Sequence, residues 1–453
     1  MKRRNTLFLA ALLLVAAFSA HAQTNDRYLV MLKGKNAQAK FASEVQAVGG
    51  EVTYRHSIGF AIVSGLTTDT AATLGKSKRV QDIQPDFSIA MDPDLPVVSL
   101  ASMEDAMLTD ADIASPADPA TAFFYPRQWN MHTIEAEQAW ADGRHGSSSV
   151  TLAILDTGID YTYPDLAGRV DLSRSVSFIP DDDFYVQLFF PGRHPITDLH
   201  YHGTHVASTA VSNSDVIAGV TSETTLMGVK VCSVFGGCPF GAIISGVLHA
   251  ADNGADVANM SLGGAFSKNG FGRYVGFINK VFNYANSAGM TIVVAAGNEA
   301  SDLDHDGNTY AAYCSAPNTI CVSATGPVDA DSVNGPWYDI DAIAPYSNYG
   351  RSAINVAAPG GNSGGPVWAA CTQTSLFSGL AICGTGTFIV GLNGTSMASP
   401  HVAGLAALLV EDLGRHPGAI RARLQNSADD LGQSGTDPDY GKGRINVANA
   451  VLP

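Results

Sequence analysis

The chain has 453 residues, 46% of them hydrophobic, so it can bury a full core and is expected to hold more than one domain. A net charge of −16 argues against nucleic acid and anionic membrane surfaces as partners. After the N-terminus, no apolar run reaches the roughly 18 residues that a membrane span requires. The chain opens on Lys2-Arg3-Arg4, then an apolar run from Leu7 to Phe18, then Ala20-His21-Ala22. A positive head, a short apolar centre and an Ala-x-Ala end describe a secretory signal peptide over residues 1–22. The expected destination is extracellular or periplasmic, with no membrane attachment once that segment is cut.

Residues 23–92 read as strand (28–32), helix (37–48), strands (51–56 and 59–63), helix (68–76) and strand (80–83). This β-α-β-β-α-β order predicts a small α+β, ferredoxin-like unit. Between Arg79 and Arg127 there is no Lys or Arg, but there are nine carboxylates and Pro at 85, 93, 96, 116, 119 and 126. Residues 93–125 therefore read as an exposed acidic linker holding a processing site, with a second domain at 126–453.

In that domain strands and helices alternate. Strands are expected at 150–155, 225–232, 255–262, 290–295, 319–324 and 354–357. Helices are expected at 240–253, 274–287, 396–412 and 417–427. In the first of these helices Ile243, Ile244, Val247, Leu248 and Ala251 recur at helical period, giving an apolar face for a sheet. The alternation predicts an α/β fold, a mostly parallel sheet with helices on both faces. Six cysteines fall in three local pairs, Cys232 and Cys238, Cys314 and Cys321, Cys371 and Cys383. An even count in an exported chain suggests disulfides, and nearest-neighbour pairing is the simplest connectivity.

Four short segments carry chemistry. The strand Val150 to Leu155 ends in Asp156-Thr157-Gly158-Ile159-Asp160, which puts a carboxylate at the C-terminal edge where open α/β sheets bind ligands. His202-Gly203-Thr204-His205-Val206-Ala207-Ser208 is small and apolar, consistent with His202 opening a helix. Ala295-Ala296-Gly297-Asn298 closes the strand from Met290. Gly394-Thr395-Ser396-Met397-Ala398-Ser399-Pro400-His401-Val402-Ala403-Gly404 seats Ser396 in the first turn of a helix, where its N–H has no intrahelical partner. Pro400 has no N–H, so the carbonyl of Ser396 loses its usual donor.

These segments resemble those of the subtilisin-like serine proteases, in the family order Asp…His…Ser. The resemblance implies that Ser396 is the nucleophile, His202 the base and then acid, and Asp156 the group that orients and stabilises the imidazole. It implies Asn298 as an oxyanion donor beside the Ser396 N–H. Ser261, Leu262 and Gly263 resemble the strand with which the family pairs an extended peptide, and Ala296 and Gly297 would line its primary pocket. Residues 23–92 resemble the family's propeptide, implying that the chain's own propeptide is an intramolecular inhibitor. The implied protein is a secreted, self-processing monomer acting on protein or peptide substrates, with no cofactor required for its chemistry.

Two competing readings remain, and one look-alike motif is set aside. A catalytically silent peptide-binding protein could use the same scaffold. His202 and His205, with His194 and His200 nearby, could hold a metal instead. Gly361-Asn362-Ser363-Gly364-Gly365-Pro366 mimics another protease motif, but a Ser followed by Gly-Gly-Pro cannot open a regular helix, and it reads as a Gly-rich loop. Finally, Asp302-Leu303-Asp304-His305-Asp306-Gly307 has the opening of a calcium loop, making Asp302, Asp304 and Asp306 candidate ligands of a structural calcium. Its twelfth position is Tyr313 rather than Glu, and an acidic solvated turn is the alternative.

Overall fold

The computed structural model describes residues 26–34, 37–91, 97–102, 118–305, 307–376, 383 and 388–452. The signal segment, most of the acidic linker and Asp306 lie outside the described residues. Two compact units meet in sequence between Phe87 and Ser88.

The first unit holds β1 (Tyr28–Leu32), α1 (Ala37–Ala47), β2 (Glu51–Arg55), β3 (Phe60–Ser64), α2 (Thr68–Gly75) and β4 (Val80–Pro85), the expected order. Its strands form one antiparallel sheet, β2-β3-β1-β4. Val30, Leu32, Ala61 and Val63 pack with Phe41 and Val45 of α1 and with Ala71 and Leu74 of α2. The second helix starts at Thr67, whose hydroxyl and N–H exchange hydrogen bonds with Thr70, a reciprocal cap that satisfies two orphan donors.

The second unit begins with β5 (Ser88–Ala90), β6 (Val97–Ser102), α3 (Trp129–Thr133), α4 (Ala136–Ala141), β7 (Thr151–Asp156), β8 (Val176–Ser177) and α5 (Pro180–Phe189). It continues with α6 (His202–Ala210), β9 (Thr225–Lys230), β10 (Gly237–Pro239), α7 (Phe240–Asp252), β11 (Val257–Met260), β12 (Gly264–Ser267) and α8 (Lys268–Ser287). Then come β13 (Thr291–Ala295), β14 (Thr309–Ala312), β15 (Thr319–Thr325), β16 (Asp329–Ala330), β17 (Trp337–Tyr338), β18 (Val356–Pro359), β19 (Val367–Cys371) and β20 (Phe388–Leu392). Helices α9 (Thr395–Leu413), α10 (Pro417–Asn426) and α11 (Val447–Val451) close the chain.

Seven strands form one parallel sheet in the order β18-β15-β13-β11-β7-β9-β8. Every residue of β7, β11, β13 and β15 is buried. Strands apolar on both sides need cover on both faces, which is why they read as continuous rather than alternating runs. Helix α9 packs against β11, β13, β15 and β18, and α7 against β7 and β9. α9 is buried from Thr395 to Val410, and α7 buries Ile243, Ile244, Val247 and Leu248 as its periodicity requires. Among the described residues no helix is long and apolar enough to cross a membrane. The three cysteine pairs are disulfides between sequence neighbours, Cys232–Cys238, Cys314–Cys321 and Cys371–Cys383.

The linker departs from its expected exposure. Val97–Ser102 forms the third strand of a sheet ordered β19-β20-β6, and just before the linker Ser88–Ala90, expected within the first unit, pairs antiparallel with β10 in the second. Ala122, Phe124 and Tyr125 at its far end are buried. The charge and proline count, taken over the whole segment, hid the short apolar stretch Val97-Val98-Ser99-Leu100. Helix α8 begins earlier than expected, at Lys268, across non-helical residues Asn269 and Gly270. Helix α5 and the β19–β20 hairpin had no place in the expected alternation.

Candidate active site

Asp156 is the last residue of β7, and its side chain is buried. The Thr157 N–H donates to Asp156 Oδ1 at 2.7 Å, and His202 Nδ1 donates to the same oxygen at 2.8 Å. A carboxylate oxygen accepts, so this contact places a ring hydrogen on Nδ1, and in the neutral ring the lone pair is then on Nε2. His202 Nε2 has no hydrogen-bond partner among the described residues, and the ring is buried. His200 lies next to it, stacked on Tyr201 with ring centroids 4.2 Å apart. Burial, reinforced by the charge His202 can carry, pushes its pKa down to about 3, so it stays neutral beside the pair.

Ser396 sits in the first turn of α9, which packs against α6. Its Oγ donates to the Ser261 carbonyl at 3.3 Å and is not bonded to His202 in this structure. Such contacts are often loose without substrate and tighten when it binds. The carbonyl orphaned by Pro400 is satisfied by Ser261, whose Oγ donates to Ser396 O at 2.7 Å. Asn259 Nδ2 donates to that same Ser261 oxygen at 2.9 Å, and the Ser399 hydroxyl lies 2.8 Å from it. Ser261, read as a substrate-strand residue, thus spends its side chain inward on the helix that carries Ser396.

Asn298 is oriented by a residue the motifs did not single out. Thr395 donates to Asn298 Oδ1 through its N–H at 2.9 Å and its hydroxyl at 3.0 Å, and that hydroxyl accepts the Gly297 N–H at 3.0 Å. With Oδ1 engaged twice, the amide offers Nδ2 as its free donor. The signal was present in the sequence, a Thr directly before Ser396, but only the fold brings it to Asn298.

A cavity of about 340 Å³ is lined by Gly263, Gly264, Ala296, Gly297, Glu299 and Asn348 among others. Gly263 of the expected substrate strand and the expected pocket residues Ala296 and Gly297 are therefore brought together. Ser261 and Leu262 are buried and do not line it. Asp302 accepts the Asp304 and His305 N–H groups and pairs with the His305 ring at 2.9 Å, while Asp304 accepts the Ser352 N–H and hydroxyl. The two carboxylates are thus engaged with different partners. Among the described residues, no three His, Cys, Asp or Glu gather as a metal site. The histidines disperse likewise, His202 to Asp156 and His205 Nε2 to the Val367 carbonyl at 3.1 Å. Ser363 is exposed in its Gly-rich loop and donates to Val328 O at 2.7 Å.

The chain matches the model of the subtilase family over residues 147–443. It is 35% identical to thermitase of Thermoactinomyces vulgaris over 340 residues, 74% of this chain and 99% of that one. It is 33% identical to a subtilisin of Bacillus pumilus over 330 residues, 71% of this chain and 98% of that one. The fold is also that of the epidermin leader peptide processing serine protease of Staphylococcus aureus, with a TM-score of 0.71 at 20% identity over 94% of this chain and 97% of that one. The chain belongs to the subtilase family of subtilisin-like serine proteases.

Proposed function

We propose that this protease is a secreted endopeptidase, made as a self-processing zymogen, that works through Asp156, His202, Ser396 and Asn298. The buried 2.8 Å contact between Asp156 and His202 carries the reading, because it engages Nδ1 and leaves Nε2, which has no partner among the described residues, as the ring atom that can act as a base. In the proposed step, Ser396 Oγ attacks the scissile carbonyl carbon while His202 Nε2 takes its proton, and Asp156 stabilises the imidazolium. The carbonyl oxygen becomes an oxyanion that accepts from Asn298 Nδ2 and the Ser396 N–H. Collapse breaks the C–N bond, His202 returns the proton to the leaving amine, and water then cleaves the acyl-enzyme by the same route.

The zymogen reading draws support from the segment after the first unit. Ser88–Ala90 lies antiparallel along β10, and the Met91 N–H donates to Gly236 O at 2.7 Å. Ile89 reaches Gly264, where an added Cβ would stand 3.2 Å from its Cγ2. An extended segment added to a strand edge beside the pocket is how a peptide would bind, and it would hold the cleft until cut. Export rests on the pattern at residues 1–22, and a structural calcium at Asp302, Asp304 and Asp306 belongs to the same proposal. Calorimetric calcium titration of wild type and Asp304→Asn checks the latter, and equal binding would end it.

Two measurements test the whole. A fluorophosphonate should label Ser396 and abolish casein cleavage; an unlabelled Ser396 would favour the silent peptide-binding reading. Mass spectrometry of wild type beside Ser396→Ala should find the first unit removed only from the wild type. Identical intact masses would refute self-maturation.

A further inference from the structure

Asp156 and His202 lie 46 residues apart, and the backbones that carry them are in contact. Gly158 has φ +121°, in the region that favours glycine, and a Cβ there would stand 2.4 Å from Ile196 O. A Cβ on Gly203 would stand 2.1 Å from Gly158 O. The carboxylate turn and the start of α6 are therefore packed main chain against main chain, with no side chain between them to take up a shift.

One buried acid ties the two together. Thr157 Oγ1 accepts the Gly203 N–H at 2.9 Å and donates to Asp198 Oδ1 at 3.0 Å. The same Oδ1 accepts the His200 N–H at 2.9 Å. Asp198 Oδ2 accepts the Thr204 N–H at 3.0 Å and the Thr204 hydroxyl at 2.6 Å. Four donors thus converge on a fully buried carboxylate, one from the Asp156 turn and three from the segment carrying His202. From outside, Thr372 and Thr374 donate their hydroxyls to the Asp198 carbonyl at 3.2 and 2.7 Å, and the Leu376 N–H donates to Leu199 O at 2.9 Å. These residues follow β19 directly, beside the Cys371–Cys383 disulfide.

We propose that Asp198 is a positioning residue: through Thr157 it fixes the Asp156 turn, and through His200 and Thr204 it fixes the start of α6, so that carboxylate and imidazole meet in a single geometry. This rests on the triad reading above. Asp198 touches no reacting atom. Its action passes through hydrogen bonds whose loss would leave buried donors and acceptors unpaired on both sides of the contact.

Thr157→Val tests the link with little change of shape, since it removes the hydroxyl and keeps the branch. With enzyme expressed as the full chain, allowed to mature and titrated for active sites, and with a peptide amide substrate, kcat should fall by about 100-fold, the scale of a 1 Å misplacement, while KM moves by less than about twofold. Thr157→Ser restores the hydroxyl and should restore kcat; Asp198→Asn should lower kcat in the same sense as Thr157→Val. The downfield proton resonance of His202 Nδ1–H, recorded in the Ser396→Ala chain, should be lost in Thr157→Val and return in Thr157→Ser. Lowered thermal stability with unchanged kcat and an unchanged resonance would overturn the proposal, as would failure of Thr157→Ser to recover either. A wild type that takes no fluorophosphonate would defeat the triad reading, while the resonance still reports on the Asp198 link.

Discussion

Asn298 can serve an oxyanion only if its nitrogen, not its oxygen, faces the substrate. Thr395 decides this, because two donors on Oδ1 make the flipped amide place N–H groups against N–H and O–H. Asn298→Ala should therefore lower kcat by about 10²–10³ with little change in KM, the loss known for an oxyanion donor in the subtilisins. Steady-state kinetics on a peptide amide measures it, and an unchanged kcat would remove Asn298 from that role. The logic is electrostatic: a donor aimed at charge that exists only in the transition state changes turnover, not ground-state binding.

Among the elements, α9 has the most conflicted demands. It must be buried along most of its length, present Ser396 in its first turn, and tolerate Pro400 one turn later. The proline leaves the Ser396 carbonyl without its helical donor, and Ser261 Oγ replaces it from the end of β11. Ser261→Ala should accordingly cost about 1–3 kcal/mol, the range for an unsatisfied buried acceptor. In a Pro400→Ala background, where a helical N–H is restored, the same substitution should cost less. Urea unfolding of the four chains, all carrying Ser396→Ala to prevent self-digestion, gives the coupling; additive costs would refute the exchange. The missing donor at Pro400 was legible in the sequence, as were the Asp156, His202, Asn298 and Ser396 segments, because each is a contiguous string at a strand end or helix start. Its replacement by Ser261, the orientation of Asn298 by Thr395, and the convergence on Asp198 were not legible. They join residues 135, 97 and 41 positions apart, and nothing local marks one partner for the other. The parallel sheet was readable for a related reason, since its buried strands are unbroken apolar runs. β6 escaped because its antiparallel partner β20 lies far along the chain.

For the whole molecule, buried imidazoles set a limit at acid pH. His401 is fully buried on α9; its Nδ1–H donates to Met397 O at 2.8 Å, and its Nε2 accepts from Asn130 Nδ2 at 2.8 Å. Burial pushes its pKa down to about 4, and that of His205 to about 3. An unfolded chain would titrate these rings near 6.5, so between pH 6.5 and 4 the unfolded state binds protons that the folded state refuses. Stability from His401 is thus full above pH 6.5 and is lost as pH falls toward 4, by up to about 3 kcal/mol in all. Asp165 works in the opposite sense: burial outweighs its three backbone donors, Asp215, Val216 and Ile217, and raises it to about 7. The folded state keeps that proton up to about pH 7, so its contribution favours acid and partly masks the histidines. The comparison that separates them is the slope of unfolding free energy against pH in Ser396→Ala chains with and without His401→Gln. Between pH 4.5 and 6.5 the slope should be smaller in the His401→Gln chain by about 1 kcal/mol per pH unit. Coincident slopes would mean that His401 takes up its proton in the folded protein, and that the burial of α9 does not govern the acid limit.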